Sequence, residues 1–169
     1  MQIHYDFKDT ENIRNAVVTT GSFDGVHLGH RFIINHINEL AASINGVSVL
    51  ITFWPHPRRV LFPETTGREL QLINTQREKI ELLAKTGLDH LIIVTFTPEF
   101  AMTSSSDFVT KILLEKLHAK IIVVGFNHHF GHNREGSYDS LIALSEKYDF
   151  RVDEIPEQAI QNETVSSTK

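Results

Sequence analysis

Short runs of apolar and β-branched residues alternate along this chain with longer amphipathic segments, and no other feature of the sequence constrains its fold as strongly. The runs predict five strands, at residues 16–20, 47–53, 91–96, 119–124 and 150–155. Apolar residues at helical spacing predict four helices between them, at residues 31–44, 75–85, 104–117 and 136–148. Because strands that alternate with helices form βαβ units, we predict an α/β fold with a mostly parallel sheet and helices on both faces.

Two of these helices carry boundary signals. Thr75 can cap the second helix and Gly87 can end it. The apolar side of that helix is predicted to hold Ile80, Leu83 and Ala84. Ser104, followed three residues later by Asp107, resembles a capping box and predicts where the third helix begins.

Composition narrows the class of protein. The 169 residues fit one domain, which we predict to span residues 1–169, and the net charge of −5 argues against broad binding to nucleic acid. With no cysteine, disulfides and thiolate nucleophiles are excluded and a reducing, cytoplasmic location is permitted. The first ten residues lack a secretory apolar region, and no apolar stretch approaches the ~20 residues of a membrane helix. We therefore expect small-molecule partners, without nucleic acid or membrane.

Histidines concentrate where a parallel sheet would bind a ligand. In open α/β sheets, ligands bind beyond the carboxyl ends of the strands. Here the segments past four predicted strand ends are residues 21–30, 54–59, 97–106 and 125–134. Six of the ten histidines fall in three of them: His27, His30, His56, His128, His129 and His132. The predicted strand ends and the positions of the histidines thus indicate the same edge of the sheet as the binding site.

Residues 21–30, Gly-Ser-Phe-Asp-Gly-Val-His-Leu-Gly-His, join the first strand to the first helix. Glycines let the backbone approach a ligand, and the helix start offers free amides and a positive dipole end. With His27 and His30 one helical turn apart, phosphate is the natural ligand. The spacing matches neither a Walker loop nor Gly-x-Gly-x-x-Gly. A solvated turn and a zinc site that uses both histidines remain open alternatives.

At this segment the chain resembles a known family. Residues 21–30 resemble the His-x-Gly-His signature of nucleotidylyltransferases and, more narrowly, bacterial FAD synthetase, the adenylyltransferase half of bifunctional riboflavin kinase/FMN adenylyltransferases. Four later segments agree in order: Phe-Trp-Pro-His-Pro at 53–57, Phe-Thr-Pro-Glu-Phe-Ala at 96–101, Val-Gly-Phe-Asn-His-His-Phe-Gly at 124–131 and Val-Ser-Ser-Thr at 165–168. The resemblance covers residues 13 to 169, and five ordered blocks are far more specific than one.

The resemblance implies a Rossmann-like nucleotidylyltransferase fold, with the five predicted strands in the order 3-2-1-4-5. It implies transfer of the adenylyl group from ATP, with Mg²⁺, to FMN, which gives FAD and pyrophosphate. His27 and His30 would be catalytic, and no residue would be a metal ligand. The ATP site would comprise Gly21, Phe23, Asp24, Gly29, Gly125, Asn127, Ser166, Ser167 and Thr168. The flavin and its phosphate would contact Pro55, His56, Pro57 and Arg58.

The chain departs from the family pattern in two places. Asn127 stands where the family often has Asp, which puts a carboxylate role there in doubt. The chain stops at Lys169, before the arginine of the last motif, and carries no riboflavin kinase domain. We therefore expect a fragment holding the N-terminal domain, with the kinase domain in the full-length chain.

Each block also has a structural interpretation. The Pro-His-Pro segment at 55–57 could be only a rigid loop, and residues 166–168 only a polar tail. His128, His129 and His132 could hold a metal, although a mostly solvated loop is the simpler interpretation for His129 and His132. Trp54 and the phenylalanines are expected mostly in the core, with one or two available to stack on an aromatic ring.

Three other functions remain open at this point. The chain could transfer a nucleotidyl group to a different phosphorylated acceptor. It could bind a nucleotide or flavin without catalysis, or it could be a histidine-rich metal-binding protein. Formation of FAD from ATP and FMN would distinguish the FAD synthetase hypothesis from a different acceptor and from binding without catalysis. The metal content of the purified protein tests the metal-binding hypothesis.

Overall fold

A six-stranded sheet, parallel throughout, organises the molecule. The computed structural model describes residues 1–21, 28–55, 60, 76–125 and 138–155. The strands are β1 (Gln2–Tyr5), β2 (Ala16–Thr20), β3 (Val47–Trp54), β4 (His90–Thr95), β5 (Ala119–Gly125) and β6 (Arg151–Ile155). They lie in the order β1-β4-β3-β2-β5-β6. The five predicted strands and their relative order are thereby confirmed.

The sixth strand, β1, was not predicted from the sequence. It pairs with β4 through Ile3 opposite Leu91 and His4 opposite Ile92. Its four residues are exposed except for His4, so the strand lacks the apolar run that marks the other five. A short edge strand of this kind is stabilised by pairing with its neighbour more than by burial, and hydrophobic pattern alone does not reveal it.

Helices cover both faces of the sheet, as predicted. They are α1 (Leu28–Ser43), α2 (Gln76–Ala84), α3 (Pro98–Ala101), α4 (Ser105–Asp107), a π-helix (Phe108–Leu114) and α5 (Tyr138–Lys147). Gly87, which the sequence marks as the end of α2, adopts a φ of 83°. The hydroxyl of Ser104 accepts from the amide of Asp107 at 3.1 Å, which confirms the predicted cap. None of the described helices is long and apolar enough to cross a bilayer.

The third predicted helix is wrong in type over much of its length. Past α4 the chain widens into a π-helix, in which the amide of Glu115 bonds to the carbonyl of Thr110, five residues back, at 3.2 Å. Such a turn brings residues five apart into line, so that Phe108 and Leu113 both reach the core. Helical spacing in the sequence could not distinguish this from an α-helix.

Two hydrophobic cores lie on opposite faces of the sheet. Val17 and Leu50 face α1 and α2, where they pack in one cluster with Ile34, Ile37 and Leu83. Their strand neighbours Val18, Val49 and Ile51 face the other way and pack in a second cluster, which includes Phe108 and Leu113 of the π-helix and Leu141 of α5. Since successive strand residues alternate between faces, strands buried on both sides must be apolar at nearly every position, as residues 47–53 are.

Candidate active site

The carboxyl ends of the strands define one edge of the sheet, which we call the carboxyl edge. Because every strand pair is parallel, Thr20, Trp54, Thr95, Gly125 and Ile155 all end their strands there. The four segments singled out in the sequence follow four of these ends. The edge is therefore the place where the predicted site residues can meet.

The middle of this edge is a topological switch point. From β2 the chain proceeds to β3 and β4 on one side, and it returns to β5 and β6 on the other. The two central strands end next to glycines, Gly21 just after β2 and Gly125 at the end of β5. Val17 pairs with Ile121 and Val18 with Ile122, and the same offset places Gly21 level with Gly125. A crevice at such a point is where doubly wound folds bind nucleotides.

Gly125 leaves space at that crevice, and Gly21 continues the sheet toward it. The amide of Gly21 donates to the carbonyl of Ile51 at 3.0 Å, so the ladder with β3 continues to the start of the glycine-rich segment. A Cβ atom added to Gly125 would have no described atom within 4 Å. Among the described residues, none blocks a close approach to the backbone of Gly125, a predicted ATP contact.

Helix α1 begins three residues earlier than predicted, and this brings two more site residues to the carboxyl edge. Gly29 and His30 lie in its first turn, where backbone amides lack partners within the helix and the dipole is positive. Ile34 and Ile37 anchor the helix against Val17 and Leu50, so its N-terminus is held above β2 and β3. Phosphate chemistry is favoured at such a helix start.

The structure places Gly21, Gly29, His30, Pro55 and Gly125 at this edge. The other predicted site residues lie outside the described ranges, and their placement stays a prediction. They are Phe23, Asp24, His27, His56, Pro57, Arg58, Asn127, Ser166, Ser167 and Thr168, together with the histidines 128, 129 and 132.

The segment after β4 is explained by helix capping. The Thr97 hydroxyl accepts from the amide of Phe100 at 3.0 Å and begins α3, and Ser104 caps α4 in the same way. Asp6, in the turn after β1, accepts from the amide of Thr95 at 2.8 Å and so braces the end of β4. These polar groups therefore position the backbone beside the site.

Trp54 is not the core residue that the sequence suggested. It ends β3 at the carboxyl edge, and 41% of its surface is exposed. Its carbonyl accepts from the amide of Phe96 at 3.1 Å, which fixes the strand end against β4. Phe53, one residue earlier, packs edge-on against Phe96 and close to Phe100 instead. An exposed indole here is a flat surface that can stack on an aromatic ring.

A buried lysine near this edge was also missed. Lys79 of α2 is only 6% exposed, and its Nζ donates to the hydroxyl of Thr52, 2.8 Å away in β3. The predicted apolar side of α2 is accordingly wrong at Ala84, which is exposed, while Lys79 and Leu83 are the buried positions. Lys79 lies four residues before Leu83 and therefore on the same face of the helix, which was the available signal for its burial. It was missed because a charged lysine side chain usually lies on the protein surface.

The four described histidines that lie away from the carboxyl edge have structural contacts. Nε2 of His36 in α1 is hydrogen-bonded to Oδ2 of Asp153 in β6 at 2.7 Å, and Nδ1 of His118 lies 3.0 Å from the carbonyl of Ile13. His4 is buried, with Nε2 3.0 Å from Nδ1 of His90. Burial is the main cause that lowers the pKa of His90 below its ordinary value, and the neighbouring His4 lowers it further. Within the described ranges, no three His, Asp or Glu side chains converge as metal ligands.

Together, the parallel sheet, the switch point and the glycine-rich entry to α1 define a Rossmann-like protein of the nucleotidylyltransferase type. The sequence profile of the FAD synthetase family matches residues 9–169. The chain belongs to the FAD synthetase family.

Two relatives and one solved structure illustrate the similarity. A bifunctional riboflavin kinase/FMN adenylyltransferase of Buchnera aphidicola subsp. Acyrthosiphon pisum is 35% identical over 154 residues, which cover 91% of this chain and 48% of the relative. An FAD synthetase of Listeria monocytogenes is 35% identical over 165 residues, which cover 98% of this chain and 65% of the relative. A crystal structure described as a macrolide-efflux protein from Streptococcus pneumoniae has a TM-score of 0.76 at 27% identity. The match covers 92% of this chain and 50% of that one. The chain thus spans about half the length of the bifunctional relative.

Proposed function

We propose that residues 1–169 form an FMN adenylyltransferase domain, which converts ATP and FMN to FAD and pyrophosphate. Membership of the FAD synthetase family and the activities in the relatives' names support this reaction. In the full-length protein we propose a riboflavin kinase domain beside it, as the name of the bifunctional relative suggests. Small molecules are its proposed partners, and the cytoplasm is its proposed location.

One structural observation carries the proposal. The glycine-rich segment enters α1 at the switch point, so that Gly21, Gly29 and His30 lie where free amides and a positive helix end can hold phosphates. The chemistry needs such a place, because an oxygen of the FMN phosphate attacks the α-phosphorus of ATP in line. The new P–O bond forms as the α–β bridge breaks, and its electron pair leaves with pyrophosphate. Catalysis of this kind depends on positioning and on stabilising negative charge.

Each proposed ATP contact has a part in this scheme. His30 and His27 donate to the triphosphate as charge develops, and the backbone at Gly21, Phe23 and Gly29 holds the same charges. Asp24 ties down the loop. Gly125 and Asn127 border the adenine at the end of β5. The hydroxyls of Ser166, Ser167 and Thr168 form another side of the triphosphate clamp.

The flavin lies on the β3 side of the crevice in this proposal. Pro55 continues directly from β3. His56, Pro57 and Arg58 follow it, and an arginine fork suits a phosphate. Mg²⁺ is written here as part of the substrate, bound to the phosphates of ATP, and we derive no protein ligand for it.

The proposal is tested by incubating the protein with ATP, Mg²⁺ and FMN and separating the flavins by chromatography. We expect FAD and an equal amount of pyrophosphate. His30→Ala should lower turnover by about 10²–10³-fold, the typical loss of one transition-state donor. His118→Ala is the matched control, because it removes an imidazole from the opposite end of the sheet and should leave turnover unchanged. If the unsubstituted protein binds both substrates but makes no FAD, the proposed activity is wrong.

A further inference from the structure

We propose that strand β1 is an interface through which two copies of this chain pair. In this dimer the β1 strands of the two copies run antiparallel about a two-fold axis at Ile3, and they join two six-stranded sheets into one. The inference does not rest on the proposed reaction, because β1 lies three strand positions away from β2 and the switch point.

The backbone of β1 turns hydrogen-bonding groups away from the rest of the sheet. The amides of Gln2 and Asp6 donate to carbonyls at β4 at 2.9 and 2.8 Å. Because alternate residues of a strand turn their backbone groups to opposite sides, the amides of Ile3 and Tyr5 and the carbonyls of Met1 and Ile3 point away from β4. Since β1 is the first strand of the sheet, no described strand pairs with this outer side.

These outward groups match one another when a two-fold axis relates two copies of β1. With Ile3 opposite Ile3 of the second copy, the amide of each donates to the carbonyl of the other. In the same register, the amide of each Tyr5 donates to the carbonyl of Met1 in the other copy. The carbonyl of Tyr5 accepts from the amide of Lys8 within its own chain, and the pairing does not need it. Every bond of this register therefore uses groups that point away from the sheet in a single copy.

The side chains of the same residues suit a contact between copies. Met1, Ile3 and Tyr5 share one face of the strand, and they are 40%, 37% and 58% exposed. In the two-fold register Ile3 meets Ile3 and Tyr5 meets Met1, and such apolar cross-strand pairs stabilise a sheet. Single exposed apolar residues are ordinary on a protein surface, but these three adjoin the outward backbone groups. One pairing event covers them all.

Charge distinguishes β1 from β6, the other edge strand of the sheet. Native proteins often place charged residues on edge strands, which keeps copies from pairing. Strand β6 has this protection, since three of its five residues are Arg151, Asp153 and Glu154. Strand β1, Gln-Ile-His-Tyr, has no Asp, Glu, Lys or Arg, and the carboxylate of Asp6 is bonded to Thr95 at the end of β4. Pairing through both β1 strands leaves only the charged β6 strands at the outside, so the assembly closes at two copies.

Substitutions at Ile3 test this register. The mass of the protein in solution is measured by sedimentation over a series of concentrations, and we expect a dimer that dissociates on dilution. Ile3→Lys alone and Ile3→Glu alone should stay monomeric, because each places like charges opposite one another across the axis, whereas an equal mixture of the two should restore the dimer. Met102→Lys is the matched control, because it puts the same charge on an apolar residue that is 63% exposed outside β1, and it should leave the dimer unchanged.

A proline tests the backbone separately from the side chain. Ile3→Pro removes an amide that points away from β4, so circular dichroism should show an unchanged fold. The dimer should weaken about tenfold or more, because each copy loses a hydrogen bond of the pair. If Ile3→Pro does not fold, the mixture of Ile3→Lys with Ile3→Glu decides the question. The proposal is wrong if the unsubstituted protein stays monomeric at every concentration or forms species larger than a dimer, or if the mixture pairs no better than either variant alone.

Discussion

At the scale of single residues, polar groups placed inside the protein show how local chemistry is constrained by burial. His4 lies almost wholly out of solvent, with Nδ1 3.1 Å from the carbonyl of Lys8. Because a carbonyl can only accept, Nδ1 of His4 is the donor of that bond, and Nε2 of His4 lies 3.0 Å from Nδ1 of His90. This pair joins β1 to β4 through side chains as well as through the backbone.

The His4–His90 pair predicts a stability that falls in acid. The pKa of His90 is lowered, first by burial and then by His4, so that the unfolded chain binds a proton more readily than the native protein does. The contribution of neutral His90 is fully present above the unfolded pKa of about 6.5 and is lost as the pH falls through the folded value. Urea unfolding at about pH 8 and about pH 5.5 should show less stability at the lower pH.

The substitution His90→Gln should reduce that difference between the two pH values, because the titrating group is gone. His118→Gln, just before β5 and three strand positions away from β4, serves as the comparison and should leave the pH dependence of stability unchanged. If His90→Gln kept the whole pH dependence, the stability change would arise elsewhere in the chain.

At the scale of elements, caps explain where short helices begin. Ser104 begins α4 by accepting from the amide of Asp107, and the π-helix follows without a break. Together they carry Phe108, Val109 and Leu113 into the core. A capping bond outside the core therefore positions a large apolar surface inside it.

Removal of that cap should lower stability without changing the fold. Ser104→Ala loses one hydrogen bond to the amide of Asp107, and the typical cost of a lost cap is ~1 kcal/mol. In a domain of this size the melting temperature should fall by ~2–4 °C. Ser106→Ala, two residues on at an exposed position, should leave the melting temperature unchanged. Equal melting of both variants with the unsubstituted protein would show that the cap contributes no stability.

The elements also show what a sequence can and cannot reveal. The five strands that share both cores were predictable, because burial on two faces demands an apolar run such as residues 47–53. Strand β1 could not be predicted, because pairing at the edge of a sheet needs no apolar run. The π-helix could not be predicted either, because its apolar spacing also suits an α-helix. In the site, the glycine-rich segment after β2 pointed to Gly21, and the family resemblance pointed to Gly125. Lys79 was missed because its partner Thr52 is distant in sequence.

At the scale of the whole molecule, positive charge lies at both edges of the parallel sheet but has different sources. Helix α1 points its positive end to the carboxyl edge, where anionic substrates are proposed to bind. At the opposite edge, Arg14, Lys120 and Lys147 line a cleft of about 580 Å³. Lys147 lies in the last turn of α5, where a cation complements the negative end of the helix. Since the strands are parallel, the negative end of α5 lies at the edge where these cations are found.

The proposed division of labour gives a final prediction for the 169 residues taken as a separate polypeptide. The FAD synthetase family profile leaves only residues 1–8 outside its match, so the proposed adenylyl-transfer domain would account for nearly all of this polypeptide. Its one switch point offers phosphates a single crevice at the carboxyl edge of the described strands. In our proposal riboflavin phosphorylation belongs to a separate kinase domain. With ATP and Mg²⁺, the polypeptide should therefore convert FMN to FAD but leave riboflavin unchanged.

The measurement is chromatography of the flavins after incubation with riboflavin or FMN under identical conditions. His30→Ala, run in parallel, reports any contaminating host enzyme, because a contaminant would make FAD equally in both preparations. FMN formed from riboflavin by the purified polypeptide would place kinase chemistry within residues 1–169. It would also require a second phosphate-transfer site beside the crevice at Gly21 and Gly125, since phosphorylation leaves the γ-phosphate of ATP on the flavin, whereas adenylyl transfer requires attack at the α-phosphate.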